Sequence, residues 1–280
     1  MKDLKDKVAV ITGAGSGIGR ALSIELAHHG VRLALSDVDA DGLAETALQI
    51  SRIGAQVRPD PLDVRDRVAC FAYAETVAEH FDAVNLVVNN AGITFLGEIE
   101  SMNFTDLERV MDIDYWGVVN GTKAFLPHLI ASGEGHIVNM SSVSGFMAGA
   151  GLSAYNSAKF AVRGFTEALR IEMLMNKRPV GVTCVQPGGV KTRLVSNGLA
   201  DGYDQAAAAH FFGKYLSPTT PEKAAKRIVS GIRWNKPRML IGIDAWSLDL
   251  ALRLTGTRYQ RLYAIGGRYV MPKIASTGER

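Results

Sequence analysis

The sequence has few cysteines and no residue pattern typical of a metal site. Its 280 residues include only two cysteines, Cys70 and Cys184, which lie far apart and outside any Cys-x-x-Cys spacing. A disulfide-stabilised scaffold is therefore excluded, and a reducing compartment suits both thiols. The six histidines form no His-Glu-x-x-His pattern, so no metal site is predicted.

Long apolar runs and an excess of one charge are also absent. No stretch reaches the roughly 18 apolar residues of a membrane span, and the N-terminal segment MKDLKDKVAVITGAGSG is charged at its start and interrupted by glycines. Neither a secretory leader nor a membrane span is predicted, and a cytoplasmic location is expected. The formal net charge is only +3 and the basic residues are scattered, which argues against a nucleic-acid-binding surface.

The sequence does contain a regular alternation of short apolar runs with longer helical patterns. The runs cover residues 7–12, 31–36, 55–59, 84–90, 136–141, 181–186 and 238–242. They are apolar throughout, which indicates strands buried on both faces. This order predicts a single-domain α/β fold with a doubly wound, seven-stranded parallel sheet. An insertion at about 190–221 is expected to form a lid, and residues 244–280 a helical C-terminal extension.

A glycine-rich turn follows the first predicted strand and opens the first helix. In ITGAGSGIGR, glycines allow the backbone to turn tightly and to approach a pyrophosphate, whose charge the helix N-terminus meets. Glycines also serve turns that bind nothing, but the position between a strand and a helix favours a phosphate loop. The predicted contacts in this loop are Gly13, Ser16, Gly17, Ile18 and Gly19.

Acidic and small residues follow the next strands at the same edge of the sheet. Asp37 ends the second predicted strand, where its carboxylate can accept both hydrogen bonds of an adenosine ribose. A 2′-phosphate would be repelled there and no Arg or Lys adjoins it, so NAD is predicted in preference to NADP. The alternative is that Asp37 only caps a turn. Further expected cofactor contacts are Asp63 and Val64 at the adenine, and Asn90, Ala91 and Gly92 after the fourth strand.

The segment SAYNSAKFAV places Tyr155 and Lys159 four residues apart, so both project from one face of a helix. Such a pair is common by itself, but Ser142 follows the fifth predicted strand at the same edge of the sheet. A neighbouring ammonium and a nicotinamide cation are expected to lower the pKa of Tyr155 from its usual value near ~10. Tyr155 would then exchange a proton with an alcohol or ketone oxygen held by Ser142, while hydride moves to or from the nicotinamide.

Five motifs in order, TGAGSGIG, NNAG, SSVSG, YNSAK and QPGGVKT, resemble those of the short-chain dehydrogenase/reductase family over roughly residues 5–243. The resemblance implies a Rossmann-type sheet, a dinucleotide-binding and catalytic region over residues 1–243, and NAD(P)-dependent alcohol oxidation or carbonyl reduction without a metal. It also implies a homodimer or homotetramer. It gives Ser142, Tyr155 and Lys159 catalytic roles, with Lys159 on the nicotinamide ribose, and places Pro187, Gly188, Val190 and Thr192 beside the carboxamide.

One position departs from the family's pattern. Where members usually carry an asparagine that binds a water in a proton relay to the active-site lysine, this sequence has Asp114. An ionised aspartate accepts the same hydrogen bonds but donates none, and its charge is expected to hold Lys159 as the ammonium. We favour a tolerated replacement over a slowed or rerouted relay. The departure also leaves open an alternative function, a non-catalytic dinucleotide-binding scaffold or sensor.

The motifs do not specify the substrate or the role of the C-terminal extension. Apolar residues in the insertion suggest either a lid over a hydrophobic alcohol or ketone, or simply core: Leu194, Leu199, Tyr203, Phe211, Phe212 and Tyr215. In the extension, Trp246, Leu250 and Leu254 predict an apolar helix face over about 245–255, in a basic segment. Burial of this face against protein, to close the pocket or join subunits, is favoured over contact with an anionic membrane surface.

Overall fold

A computed structural model describes residues 1–270 and residue 274. The strands in this part of the chain are β1 (Val8–Thr12), β2 (Arg32–Asp37), β3 (Val57–Pro61), β4 (Leu86–Asn89), β5 (Phe95–Leu96), β6 (Gly135–Met140), β7 (Val180–Pro187), β8 (Leu199–Ala200) and β9 (Arg238–Ile241). Seven of them form one parallel sheet in the order β3-β2-β1-β4-β6-β7-β9, and β5 pairs with β8 apart from it. The predicted seven-stranded parallel sheet is confirmed.

Helices connect the strands and cover both faces of the sheet. The α-helices are α1 (Gly17–His28), α2 (Ala40–Ile53), α3 (Arg67–Phe81), α4 (Phe104–Met111), α5 (Gly117–Ala131), α6 (Ser153–Met175), α7 (Gln205–Phe211), α8 (Pro221–Arg233), α9 (Ile243–Thr255) and α10 (Tyr259–Val270). A π-helical turn at Asp112–Trp116 joins α4 to α5, and a second one, Phe212–Leu216, follows α7.

The sheet is apolar on both faces because each face packs against its own layer of helices. Along β1, Ala9 and Ile11 pack against α1, α2 and α8, whereas Val8 and Val10 pack against α3, α5 and α6. Both layers bury the intervening backbone, whose polar groups are satisfied by the parallel strand ladder. This accounts for strands that read as unbroken apolar runs in the sequence.

The strand order creates a crevice at the carboxyl ends of β1 and β4. These strands are neighbours, yet the chain first passes outward from β1 through β2 to β3 and only then returns to β4. The connections therefore leave β1 and β4 in opposite directions, and ligands of open α/β sheets bind at this kind of switch point. The glycine loop after β1 and the NNAG segment after β4 meet there.

The insertion at 190–221 contains β8, α7 and the second π-helical turn, and the C-terminal extension folds back on it. The backbone N–H of Asp204 donates to the carbonyl of Ile274 over 2.9 Å. Neither β5 nor β8 was predicted, because strands of two residues carry no readable periodicity. A helix over about 245–255 was predicted, and α9 occupies Ile243–Thr255.

Within the described residues, the apolar face predicted for this helix does not pack against its own domain, and its burial against another subunit stays a prediction. Trp246, Leu250 and Leu254 are exposed, whereas Leu248 and Leu252 pack inward against a small core. Leu248 and Leu252 also lie four residues apart, so the sequence has an apolar face on each side of the helix. The face with Leu248 and Leu252 is the one that packs against the domain.

Candidate active site

The glycine loop between β1 and α1 has a backbone that requires glycine. Gly13 and Gly17 have φ angles of 66° and 54°, in the left-handed region that side chains disfavour. A Cβ on Gly19 would collide with the carbonyl oxygen of Gly13. Ile18 and Gly19 lie in the first turn of α1 behind Ser16, where backbone N–H groups have no intrahelical acceptor and can bind an anion.

Asp37 lies at the end of β2 and faces the glycine loop. Its Oδ2 accepts a hydrogen bond from the N–H of Gly15 over 2.7 Å, and its Oδ1 accepts one from the N–H of Asp39 over 3.0 Å. These contacts fix the carboxylate at the crevice, where its remaining lone pairs are free to accept from ribose hydroxyls. The nearest arginine along α1, Arg20, is occupied with the carbonyls of Gly15 and Gly42.

The NNAG segment after β4 supports the glycine loop directly. The Asn90 side chain donates to the carbonyls of Thr12 and Gly13 over 2.9 and 3.0 Å, and the N–H of Ala91 donates to the Thr12 hydroxyl over 3.1 Å. A Cβ on Gly92 would lie 3.2 Å from a carboxylate oxygen of Asp114. The segment thus couples the predicted phosphate loop to the predicted catalytic centre.

The two residues predicted at the adenine differ in their surroundings. Asp63 forms an ion pair with Arg65 at 2.6 Å, and the hydrogen bond from Arg65 lowers the pKa of the carboxyl. Val64 is buried, and a Cβ on Gly117 at the start of α5 would lie 2.7 Å from its side chain. Asp63 is the more accessible of the two, and both lie after β3 at the cofactor edge of the sheet.

The segment predicted beside the carboxamide is held by Asp244, which the sequence motifs did not indicate. The Asp244 carboxylate, in the first turn of α9, accepts a hydrogen bond from the N–H of Gly189 over 2.6 Å. It thereby fixes the Pro187–Val190 turn, and Thr192 beyond that turn lies against Gly17 of the glycine loop. An acid near the N-terminus of a helix is a common signal, but its long-range partner is not readable from the sequence.

Ser142, Tyr155 and Lys159 come together after β6, as predicted from their positions. Ser142 follows β6 and caps a short 3-10 turn, accepting from the N–H of Ser144 over 3.1 Å. Tyr155 and Lys159 lie in the first two turns of α6, and the Lys159 Nζ is 5.5 Å from the centre of the Tyr155 ring. All three side chains are largely buried. The arrangement gives an incoming oxygen two hydroxyl groups and a nearby ammonium.

Asp114 forms a direct ion pair with Lys159. The Lys159 Nζ lies 2.9 Å from Oδ2 of Asp114 and donates to the carbonyl of Met140 over 3.1 Å. Oδ1 of Asp114 accepts from the N–H of Ile93 over 2.8 Å. The π-helical turn at Asp112–Trp116 carries Asp114, which is completely buried, and such turns often mark functional positions.

The charges of this cluster act on one another in a dry environment. Burial raises the pKa of Tyr155, and Lys159 opposes this rise while Asp114 adds to it. Burial works against the ammonium of Lys159, but Asp114 and Tyr155 outweigh it and raise its pKa. The pKa of Asp114 is raised by burial, against the attraction of Lys159. The sequence pattern predicted a lowered pKa for Tyr155. In the folded chain its pKa is instead raised, because burial is the largest effect.

A parallel sheet that sets a glycine-rich loop beside a buried Tyr-Lys pair is an arrangement typical of nucleotide-dependent oxidoreductases with an α/β fold. The chain belongs to the short-chain dehydrogenase/reductase family, since the family model for short chain dehydrogenases matches residues 7–201. It is an oxidoreductase of that type.

Known relatives resemble the chain over nearly its whole length. It is 55% identical to SadH of Mycobacterium tuberculosis, whose name calls it an oxidoreductase, over 95% of this chain and 97% of that protein. It is 29% identical to estradiol 17-beta-dehydrogenase 11 of Mus musculus, over 92% and 83% of the two chains. A solved short chain dehydrogenase/reductase from Burkholderia phymatum, in complex with NAD, has a TM-score of 0.85 and 28% identity over 93% and 97% of the chains.

Two further features of the described residues bear on partners. No helix among residues 1–270 has the length and hydropathy needed to cross a bilayer. Within the same residues, no three histidine, cysteine or acidic side chains gather as a metal site.

Proposed function

We propose that this protein is an NAD-dependent dehydrogenase or reductase that transfers hydride between the nicotinamide and a hydrophobic secondary alcohol or ketone. The observation that carries the proposal is the meeting of Ser142, Tyr155 and Lys159 at the end of β6, beside a glycine loop that only glycine can form. A proton-transfer group, an oxygen-positioning hydroxyl and a phosphate cradle are what alcohol oxidation by a dinucleotide needs.

The crevice fits a nicotinamide dinucleotide. The glycine loop has the left-handed backbone and the close approach to the NNAG segment that a pyrophosphate cradle requires. When bound, the nicotinamide accepts or supplies the hydride. The residues proposed to hold the cofactor are Gly13, Ser16, Gly17, Ile18, Gly19, Asp37, Asp63, Val64, Asn90, Ala91, Gly92, Tyr155, Lys159, Pro187, Gly188, Val190 and Thr192.

In alcohol oxidation, Tyr155 takes the hydroxyl proton of the substrate onto its phenolate oxygen. The Ser142 hydroxyl donates a hydrogen bond to the same substrate oxygen and fixes its position. The ammonium of Lys159, kept charged by Asp114, stabilises the phenolate by charge. In ketone reduction the same groups act in reverse, and Tyr155 returns the proton to the carbonyl oxygen.

The proposed preference for NAD over NADP rests on Asp37. A 2′-phosphate would lie beside a carboxylate that already faces the glycine loop, and the nearby Arg20 is occupied with the carbonyls of Gly15 and Gly42. The solved relative from Burkholderia phymatum is in complex with NAD, which supports the same cofactor here.

Two observations support a hydrophobic substrate. The insertion brings aromatic side chains together, with the Phe211 and Tyr215 rings 5.1 Å apart. The mouse relative is named for estradiol, an apolar secondary alcohol. We further propose a homodimer or homotetramer, as the family resemblance implies, and a cytoplasmic location.

The test is a panel of secondary alcohols and ketones, each assayed with NAD and with NADP through the absorbance of the reduced cofactor. Replacing Tyr155 by Phe should lower kcat by at least about a hundredfold, because the proton-transfer group is lost. NAD binding, followed by quenching of tryptophan fluorescence, should be retained. Tyr73→Phe is the matched control, since Tyr73 is also a buried tyrosine but lies in α3, and it should keep full turnover.

The second candidate is a non-catalytic dinucleotide-binding scaffold or sensor, and the Asp114–Lys159 ion pair favours it. A lysine held by a carboxylate at 2.9 Å has less freedom to take part in a proton relay. NAD binding without turnover on the whole panel, together with turnover in Asp114→Asn, would establish this function and exclude the first. Turnover by the unaltered chain excludes it.

A further inference from the structure

Helix α9 is apolar on two opposite faces, and among residues 1–270 and 274 only one of these faces packs against a buried core. Ala245, Leu248 and Leu252 pack inward, on a small core that contains Phe146 and Leu240. The opposite face carries four side chains that are between 58% and 81% exposed: Ile243, Trp246, Leu250 and Leu254. At helical spacing these four residues lie on one side of α9.

Helix α10 has the same two-sided character. Its inner face rests on the segment between Ser142 and Tyr155, where the N–H of Ala148 donates to the Tyr259 hydroxyl over 3.2 Å. Its outer face exposes three large side chains, Leu262, Ile265 and Tyr269, which lie three and four residues apart and so share one side of the helix. We call the outer residues of the two helices, together with Arg258, Arg261 and Arg268, the C-terminal patch.

The exposed charges of the C-terminal patch are all positive. Residues 243–270 contain two acidic side chains, and both are paired with groups outside the C-terminal patch. Asp244 accepts from the N–H of Gly189, and Asp249 pairs with Arg238 at 2.7 Å and with Arg253 at 2.9 Å. The arginines of the C-terminal patch are exposed. The patch therefore combines apolar and cationic side chains, with both carboxylates of these residues turned to other partners.

This combination selects an anionic lipid surface over a second copy of the chain. A twofold interface would place the patch against itself, so the three arginines of each copy would face those of the other with no carboxylate between them. A bilayer with anionic headgroups accepts both components: aliphatic side chains enter the acyl boundary, arginines meet the headgroups, and tryptophan and tyrosine prefer the interface.

We propose that the C-terminal patch, residues Ile243, Trp246, Leu250, Leu254, Leu262, Ile265 and Tyr269 with Arg258, Arg261 and Arg268, binds the surface of an anionic membrane. The helices lie on the bilayer and do not cross it. The proposal concerns binding alone, so its outcome is independent of the catalytic activity proposed above.

The experiment is flotation of the full chain with vesicles of phosphatidylcholine alone and of phosphatidylcholine mixed with phosphatidylglycerol. The chain should float with the anionic vesicles only, and the bound fraction should fall as salt is raised, because screening weakens the attraction of the arginines. Flotation with neither kind of vesicle, or equally with both and without regard to salt, would overturn the proposal.

Two sets of variants locate the binding surface. Arg258→Gln, Arg261→Gln and Arg268→Gln together should weaken partition to anionic vesicles by about tenfold or more. The control variant changes Arg52, Lys123 and Arg178 to Gln. These three residues are also exposed, and their replacement removes the same amount of positive charge. Trp246→Ser should weaken binding severalfold, whereas Trp234→Ser, another exposed tryptophan, should not.

Equal losses in the patch and control variants would contradict the proposal, because they would reflect net charge alone. Light scattering of the same variants without lipid tests whether the C-terminal patch instead binds a second copy of the chain. If the Trp246→Ser variant has a lower molar mass than the unaltered chain, a second copy covers the patch and the lipid proposal is wrong. An unchanged mass agrees with the proposal.

Discussion

At the scale of single residues, the pair of Asp114 and Lys159 sets the electrostatics of the site. An asparagine at this position would be neutral, whereas Asp114 places a second charge in a fully buried cluster. Removing one partner of such a pair leaves the other charge uncompensated. Asp114 therefore keeps Lys159 charged, but its own negative charge adds to the rise in the pKa of Tyr155, which Lys159 opposes.

Asp114→Asn should shift the pH dependence of alcohol oxidation to lower pH. Oxidation needs the phenolate of Tyr155, so the rate rises with pH through the pKa of this group. Because Asp114 raises that pKa, removing its charge should move the rising limb of kcat/KM to lower pH. The measurement is a kcat/KM profile with a substrate from the panel.

Asp112→Asn is the matched control for this profile. Asp112 lies in the same π-helical turn but is exposed, so its replacement should leave the limb in place. If the rising limb of kcat/KM stays in place in Asp114→Asn, or moves to higher pH, then Asp114 does not raise the pKa of Tyr155.

The cofactor preference depends on a single carboxylate at the end of β2. We expect NAD to bind at least about tenfold more tightly than NADP, a difference of about 1.4 kcal/mol, because a 2′-phosphate would face Asp37. Asp37→Asn keeps the shape of the side chain and removes its charge. The KM for NADP divided by the KM for NAD should therefore fall in this variant. Asp39→Asn is a suitable control, since Asp39 caps α2 and asparagine caps a helix equally well. Equal KM values in the unaltered chain would refute the assignment.

The positions of the three proposed catalytic residues were predictable because their sequence signals are local. Tyr155 and Lys159 share a helix face at a fixed spacing, and Ser142 follows a recognisable buried strand. Asp244 was not predictable, since its partner Gly189 lies 55 residues away in the chain. The pKa direction of Tyr155 was missed for a related reason, because the degree of burial is a property of the folded chain.

At the scale of secondary-structure elements, α9 connects the C-terminal extension to the Pro187–Val190 turn that follows β7. Asp244 lies in the first turn of α9, where the helix dipole favours a negative charge, and it holds the turn after β7. The long strands and helices of the sheet were predicted from their periodicity. The faces of α9 were not, because two apolar faces of equal spacing give no criterion for choosing between them.

Asp244→Ala should loosen this connection. Losing the hydrogen bond to Gly189 and the charge at the start of α9 should lower the free energy of unfolding by about 1–2 kcal/mol. The KM for NAD should also rise, because the Pro187–Val190 turn loses its support. Thermal unfolding and initial-rate kinetics measure the two effects. Asp41→Ala removes an acid from the first turn of α2 and should leave KM unchanged, so an equal rise in that control would argue for a general effect of charge.

At the scale of the whole molecule, exposed apolar side chains also occur outside the C-terminal patch. Helices α4 and α6 pack together with the π-helical turn at Asp112–Trp116, and large apolar residues of this group face outward: Phe104, Trp116, Phe160, Ile171, Leu174 and Met175. Unlike the C-terminal patch, this group includes Asp106 and Glu108 as well as Arg109 and Arg163. Charges of both signs allow a surface to face a second copy of itself without net repulsion.

We therefore expect the chain to form a homodimer or homotetramer through α4 and α6. Phe160→Asp should lower the molar mass measured by light scattering, because an isologous interface would bury two uncompensated carboxylates, one from each copy. Leu48→Asp is the matched control, since Leu48 in α2 is exposed to a similar extent, and it should keep the mass of the unaltered chain. A monomeric unaltered chain would disprove the assembly. A Phe160→Asp variant that keeps the full mass would place the interface elsewhere, and binding of the C-terminal patch to lipid should be the same in both variants because that surface is separate.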